Sequence, residues 1–193
     1  MEKQFLDDEL SIHTTIVRSN RKTISVEIKN SGIYVRAPLR MSDKEIGRFL
    51  EGKKAWIDKH VHKMAERDKK AKELPPITHD ELCALKEQAM KDIPVRVAHY
   101  AAIIGVKYGR ITIRNQRTRW GSCSSKGNLN FNCLLMLLPD DVIDSIVVHE
   151  LCHIKHMNHS PKFYAEVEKV FPDYRRCHKW LKENGGVYLR RVE

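Results

Sequence analysis

The first part of the chain carries the alternation of apolar and polar residues that is typical of β-strands. Residues 12–18, 22–28 and 32–37 alternate with a period of two, and polar turn residues separate them. Successive side chains of a strand point to opposite faces of a sheet, so each segment offers one apolar face. The pattern predicts a small antiparallel sheet.

Capping boxes predict the starts of two helices. In a capping box, a hydroxyl side chain accepts a hydrogen bond from the backbone N–H of a glutamate three residues later, and the glutamate side chain accepts one from the backbone N–H of the hydroxyl residue. The first box, residues 42–45, opens a helix whose apolar stripe extends to Val61. The second, residues 78–81, opens a helix that we expect to reach Ile104 and to end at Gly105.

A stiff connector, Leu-Pro-Pro-Ile at residues 74–77, separates these two helices. It predicts an N-terminal unit of sheet and helix over residues 1–74 and a second domain over residues 78–193. The second domain begins with strand and hairpin patterns and continues as helices, so the predicted class is α+β. The predicted segments are a strand at 110–114, a hairpin at 117–132, and helices at 140–156, 161–170 and 173–184.

The long helix predicted from Asp140 contains the motif His-Glu-Leu-Cys-His at residues 149–153. Helical residues four apart differ by about 40° in direction and about 6 Å in height, so His149 and His153 can share one zinc ion. Glu150 is offset by one residue and can accept a proton from water at the metal. Apolar residues on the same helix face indicate that His149 and His153 are buried, and a bound metal would satisfy the polar nitrogens of the two rings.

A catalytic zinc site needs a third protein ligand and one open position. His159 follows His149 by ten residues, and on a continuing helix it would lie about 15 Å further along the axis. It can therefore bind only if the helix ends soon after His153. His156 and Glu166 are alternative third ligands, although His156 has an awkward reach along the helix.

Charge and cysteine content narrow the class of protein. The formal net charge is +10, from 35 Lys and Arg against 25 Asp and Glu, which favours anionic substrates or nucleic acid as partners. The five cysteines are scattered and never form a CxxC pair, which argues against a cysteine-based zinc finger. An acidic N-terminus and short apolar runs predict a cytoplasmic protein with no membrane partner.

Four further residues are candidates for substrate binding. Gly121 and Arg119 lie on a predicted strand before the metal helix, where an extended peptide could pair and a glycine would permit close approach. Tyr174 and His178 lie on the last predicted helix and could stabilise an oxyanion. A structural salt bridge is the alternative for Arg119, and packing or surface roles are the alternative for Tyr174 and His178.

Residues 149–164, preceded by Arg-Trp-Gly-Ser-Cys-Ser at residues 119–124, resemble the YgjP-like metallopeptidase family and, more distantly, SprT-like proteases. The resemblance extends over nearly the whole chain. It implies a zincin-like metal domain with zinc on His149, His153 and His159, and with Glu150 as the base. The substrate is less well defined by the resemblance than the metal chemistry.

The leading functional hypothesis is therefore a zinc metallopeptidase that hydrolyses peptide or protein substrates. One alternative is a metal-dependent hydrolase of nucleoside triphosphate phosphoanhydrides, although the sequence contains no P-loop. Another is a nucleic-acid-associated module in which the zinc is structural. A closed site with four protein ligands would distinguish this last alternative from an enzyme. Such a site would form if His156 bound the metal together with His159.

Overall fold

The computed structural model describes residues 13–29 and 32–191 of the chain. The chain divides into two compact units, Met1–Arg67 and Asp68–Glu193. The division lies within a long helix, ahead of the connector at residues 74–77 where the sequence predicts it. Each unit contains a three-stranded sheet and helices, which confirms the α+β class.

The sheet of the first unit has its last strand in the centre. The order is β1–β3–β2, with β1 at Thr14–Ser19, β2 at Ser25–Lys29 and β3 at Gly32–Pro38. β2 and β3 are antiparallel as predicted, but β1 runs parallel to β3, so the prediction of an all-antiparallel sheet is wrong. The central position suits β3 because its alternate residues are fully buried. Ile12 and the predicted turn at residues 30–31 lie outside the described residues.

Two helices cover this sheet where the sequence predicts one. Helix α1, Asp43–Glu51, begins at the expected capping box, and α2, Lys54–Glu73, follows after a turn at Gly52. Glycine is a poor helix former, which accounts for the break. The spacing of the apolar stripe is nevertheless kept across the break, and its buried members pack with β3 in one core: Ile33, Val35, Ala37, Ile46, Leu50, Ile57 and Val61.

The second unit opens with α3, His79–Ile104, which begins at the second capping box and ends at Gly105 in the left-handed conformation, with φ 73°. Three strands follow: β4 at Ile111–Arg114, β5 at Gly121–Cys123 and β6 at Leu129–Asn132. β5 and β6 form the predicted hairpin, and β4 pairs with β6 in parallel. β5 therefore lies at one edge of the sheet.

The remaining chain is helical. A 3₁₀ turn, Cys133–Leu137, leads into α4, Asp140–Cys152, whose apolar residues are buried against α3 and the sheet. α4 ends before His156, where the sequence placed its end. Helix α5 follows at Pro161–Val170. The last predicted helix is divided into three parts, which are α6 at Tyr174–Trp180, a π-helical turn at Leu181–Gly185 and α7 at Gly186–Leu189.

All five cysteines lie in the described part of the chain, and none forms a disulfide. Within the described residues, no helix combines the length and the apolar composition that crossing a membrane requires.

The start of α4 is tied to α3 by one arginine. The guanidinium of Arg96 on α3 donates to Asp92 at 2.7 Å, to Asp144 at 2.8 Å and to Asp140 at 2.6 Å. The Arg96 side chain is only 20% exposed, so these bonds are partly shielded from water. The network fixes the N-terminal half of the helix that carries the histidine motif.

We expect Arg96→Met to lower the free energy of unfolding by about 1–3 kcal/mol, because it leaves partly buried carboxylates without their charged donor. Urea denaturation measures this change. Arg175→Met is the matched control, since Arg175 forms a single ion pair with Glu168 and its side chain is 83% exposed. Equal effects of the two substitutions would contradict a structural role for the Arg96 network.

Candidate metal centre

The end of α4 determines which residues can meet at the histidine motif. The helix stops at Cys152, and His153 is its C-cap. The next amides bond backward over three residues, Ile154 to the Leu151 carbonyl and Lys155 to the Cys152 carbonyl, which tightens the last turn. The chain then leaves the helix axis and returns towards α4 before α5 begins at Pro161. This is the break that binding by His159 requires.

Three histidines converge as a result. One ring nitrogen each from His149, His153 and His159 lies within 4.8 Å of the others. The Nε2 atoms of His149 and His159 are 3.1 Å apart. Two nitrogens that share a tetrahedral zinc at about 2.0–2.1 Å would lie roughly 3.3 Å apart. One pair of imidazoles has nearly this spacing and the third ring lies beside it, so the three form a donor set that fits a zinc ion. Two of the histidines come from α4 and its C-cap, and the third comes from the segment that follows, as the sequence predicts.

The other ring nitrogens of the two motif histidines have partners of their own. Nδ1 of His153 lies 3.1 Å from the carbonyl oxygen of His156, which can only accept, so this nitrogen carries the hydrogen. Nδ1 of His149 lies 2.8 Å from the hydroxyl of Tyr174. When Nδ1–H donates in this way, Nε2 keeps its lone pair and the ring is held in orientation for a metal.

Burial keeps the same two rings uncharged. Desolvation, followed by the nearby charges of His153 and His159, lowers the pKa of His149 to about 3. Desolvation also lowers the pKa of His153. Burial raises the pKa of Tyr174, so its hydroxyl stays protonated. Neutral imidazoles are the form that binds a metal, so the local electrostatics favour ligation over protonation.

The two alternative third ligands are engaged elsewhere. The half-buried His156 contributes its backbone carbonyl to His153, while its ring is not part of the cluster. Glu166 receives Lys155 Nζ at 2.6 Å, and this bond lowers the pKa of its carboxyl. The structure therefore brings His159 to the histidine pair, and neither His156 nor Glu166.

A buried phenylalanine lies against all three histidine rings. The ring centroid of Phe163 is 4.9 Å from that of His149, 4.5 Å from that of His153 and 5.0 Å from that of His159. Phe163 lies on the first turn of α5, one helical turn after His159, and it is fully buried. It supplies a rigid apolar wall that restricts the rotamers of the three imidazoles.

Glu150 lies beside the histidines in a tight contact with β5. It is only 6% exposed, and desolvation raises the pKa of its carboxyl to about 8. A Cβ atom at Gly121 would lie 2.7 Å from Glu150 Cγ and 2.8 Å from its Oε1. The sequence predicts that Gly121 permits close backbone approach, and the group that approaches is the Glu150 side chain. A cation at the histidines would favour the ionised form of this carboxyl.

The four remaining predicted site residues line one cleft together with His149 and Glu150. Its volume is about 260 Å³, and it is bounded by the approach to β5, by α4 and by α6. Arg119 lies just before β5, not on it, and His178 stacks on Tyr174 with 5.5 Å between ring centroids. The Tyr174 hydroxyl is bonded to His149, which gives it a positioning contact, and a role of Tyr174 at an oxyanion stays a prediction. The cleft brings together Arg119, Gly121, His149, Glu150, Tyr174 and His178.

Asn132 anchors the segment that leads into the cleft, and the sequence reasoning did not identify it. Its fully buried side chain donates to the carbonyls of Gln116 at 2.7 Å and Arg119 at 2.9 Å. Its backbone N–H donates to the carbonyl of Trp120 at 2.9 Å. A buried amide with several backbone partners is a signal visible only in three dimensions, because the bonds cross from β6 to the preceding loop.

The contact between Gly121 and Glu150 makes a direct prediction. Gly121→Ala should lower the free energy of unfolding by about 1–3 kcal/mol, the usual cost of forcing extra atoms into a packed site. Gly47→Ala is the control, because a Cβ there meets nothing within 4 Å and alanine favours the helix. Denaturant titrations compare the two variants. A Gly121→Ala protein as stable as the Gly47→Ala protein would show that Glu150 does not occupy this contact.

Comparisons with known proteins identify the family. A family model described as YgjP-like, metallopeptidase domain, matches residues 22–83 and 82–184. Among solved structures, the metallopeptidase zymogen of Pyrococcus abyssi abylysin is 26% identical, with 47% of this chain and 93% of that chain covered and a TM-score of 0.43. The metallopeptidase zymogen of Methanocaldococcus jannaschii jannalysin is 22% identical, with 48% and 95% covered and a TM-score of 0.43. No curated protein matches. Because the family model spans most of the sequence, the chain belongs to the YgjP-like metallopeptidase-domain family.

Proposed function

We propose that this chain is a zinc-dependent peptidase in which His149, His153 and His159 hold the metal and Glu150 is the general base. The observation that carries the proposal is the convergence of three imidazole nitrogens. One of the three histidines, His149, lines a cleft together with the buried Glu150. Imidazole donors suit zinc, and in the described residues the cluster contains three of them, which leaves one position of a tetrahedral ion for water or substrate.

The chemistry divides between the metal and the chain. A zinc ion held by these histidines would polarise the scissile carbonyl and lower the pKa of a water molecule. Glu150 accepts the proton of that water and passes it to the leaving amine. Its position one residue after His149 and against Gly121 keeps the carboxyl beside the cleft and fixes its direction. The narrow, partly apolar cleft limits the water around this carboxyl.

The strand β5 is the part of the site that suits an extended peptide. It is an edge strand of the sheet, and it packs against α4 beside Glu150. The free edge of a sheet can pair with the backbone of a bound peptide. Together with membership of a metallopeptidase family, this favours amide hydrolysis over the phosphoanhydride alternative. A structural zinc would need a fourth protein ligand, which the described part of the chain does not bring to the cluster.

The ligand set predicts a specific order of zinc affinities. His159→Ala should weaken zinc binding by more than the roughly 10–100-fold that loss of a supporting residue costs a metal site. His156→Ala is the matched control, since alanine keeps the backbone carbonyl that receives His153 Nδ1–H. Competition titration against a chromogenic chelator measures both affinities. The proposed ligand set is wrong if His156→Ala loses more affinity than His159→Ala.

The role of Glu150 is tested by Glu150→Gln, which keeps the shape of the side chain and removes its ability to accept a proton. We expect peptide hydrolysis to fall by roughly 10²–10⁴-fold, while zinc content stays unchanged. The melting temperature of the metal-free protein at pH 7 should not fall, because the substitution removes the desolvation cost of a buried carboxylate. Full activity would exclude Glu150 as the base, and loss of zinc would make it a ligand.

A further inference from the structure

The proposed peptidase site contains a cation that the metal chemistry does not use. Arg119 lines the same cleft as Glu150, and its side chain is exposed. Within the described part of the chain, no carboxylate pairs with its guanidinium, although a structural salt bridge was the alternative expected from sequence. A guanidinium presents a planar fork of donors that matches a carboxylate.

The backbone beneath this side chain is held firmly. Asn132 Nδ2 donates to the Arg119 carbonyl, and the Asn132 N–H donates to the carbonyl of Trp120. Asn132 is fully buried and also receives the Leu134 N–H at 3.1 Å, so the anchor belongs to the core of the unit. An arginine on an anchored backbone loses less conformational entropy when it binds a ligand than one on a mobile loop.

The remaining walls of the cleft limit the size and nature of what it accepts. Its volume of about 260 Å³ lies below the roughly 300–1,000 Å³ of ordinary small-molecule pockets. Trp120, Ile146 and Leu181 make one part of the lining apolar. The cleft can therefore take a single residue of a peptide. Among the residues that the structure describes, Glu150, which we propose as the base, is the only acidic one that lines the cleft.

Basic residues also lie near the cleft. His178 and Tyr174 line a second depression of about 660 Å³ as well, and its lining includes Arg175 and Lys179. Among the described residues of that lining, Glu168 is the one acidic residue, and it is paired with Arg175 at 2.7 Å. The net charge of +10 on the whole chain attracts anionic peptides at long range.

We propose that Arg119 selects the substrate by binding a carboxylate on the peptide residue that enters the cleft. The carboxylate is either the free C-terminus of the peptide or an acidic side chain, because both present the same two oxygens. Arg119 is then a specificity residue, and the enzyme prefers peptides that carry this charge next to the scissile bond. The inference rests on the proposed peptidase function for its substrate class.

Binding can be measured separately from cleavage in the full-length, zinc-supplied Glu150→Gln protein. Titration calorimetry with two pairs of acetylated peptides distinguishes the two sources: one pair ends in Leu as free acid or amide, and the other contains an internal Glu or Gln. We expect the charged member of one pair to bind roughly 10–100-fold more tightly, as a charge-assisted hydrogen bond allows. The pair that shows the difference identifies the carboxylate.

Adding Arg119→Ala to this protein should abolish the difference between the charged and neutral members. Arg117→Ala is the matched control, because it removes the same charge from an exposed arginine two residues earlier that does not line the cleft. It should keep the preference. A preference that falls equally in both variants would be a long-range charge effect, and the proposal would be wrong.

Cleavage by the protein with Glu150 intact gives the second readout. In the Arg119→Ala protein, the ratio of kcat/KM for the charged peptide to kcat/KM for the neutral peptide should fall, because KM for the charged peptide rises. Equal losses of kcat on both peptides would make Arg119 a transition-state residue and overturn the proposal. Cleavage without any charge preference overturns the inference and leaves the peptidase function standing. A carboxylate preference that depends on Arg119 without any cleavage supports the inference and contradicts the peptidase function. Binding that responds only to inorganic phosphate or a nucleoside triphosphate, or no binding at all, overturns the inference.

Discussion

Helix α4 has to end at Cys152 if the third histidine is to reach the other two. Each further helical turn would carry the chain about 5.4 Å along the axis, away from His149. The bond from His153 Nδ1 to the carbonyl of His156 links the helix end to the site, because a residue just past that end also orients a histidine of the motif. The placement of α5, with Phe163 against the rings, follows from the same turn. The candidate metal centre and the local fold therefore depend on one helix end.

The second constraint is the burial of a carboxyl group beside those histidines. Glu150 is nearly inaccessible, and burial raises its pKa, so an unaccompanied negative charge there is unfavourable. A bound cation would reverse this, which couples the charge of the proposed base to the presence of the metal. Gly121 makes the arrangement possible by leaving space for the side chain against β5. The candidate metal ligands, the proposed base and the edge strand are thus positioned by contacts within a single unit.

Local chemistry explains which features the sequence predicts well. Capping boxes and the left-handed Gly105 act within a few residues, so both helix starts and the end of α3 are correct. The four-residue spacing of the motif likewise follows from helix geometry alone. The parallel pairing of β1 with β3 was not predicted, because the choice of strand partner is set by tertiary burial. The roles of Phe163 and Asn132 also depend on contacts between segments that are distant in sequence.

The central claim is that three histidines hold zinc and leave one position open. Zinc K-edge X-ray absorption of the zinc-loaded chain tests it most directly, because the spectrum reports the ligand atoms themselves. The account predicts three imidazoles at about 2.0–2.1 Å and one or two oxygen neighbours from water, with no sulfur. A sulfur neighbour at about 2.3 Å, or a closed shell of four protein ligands, would contradict it.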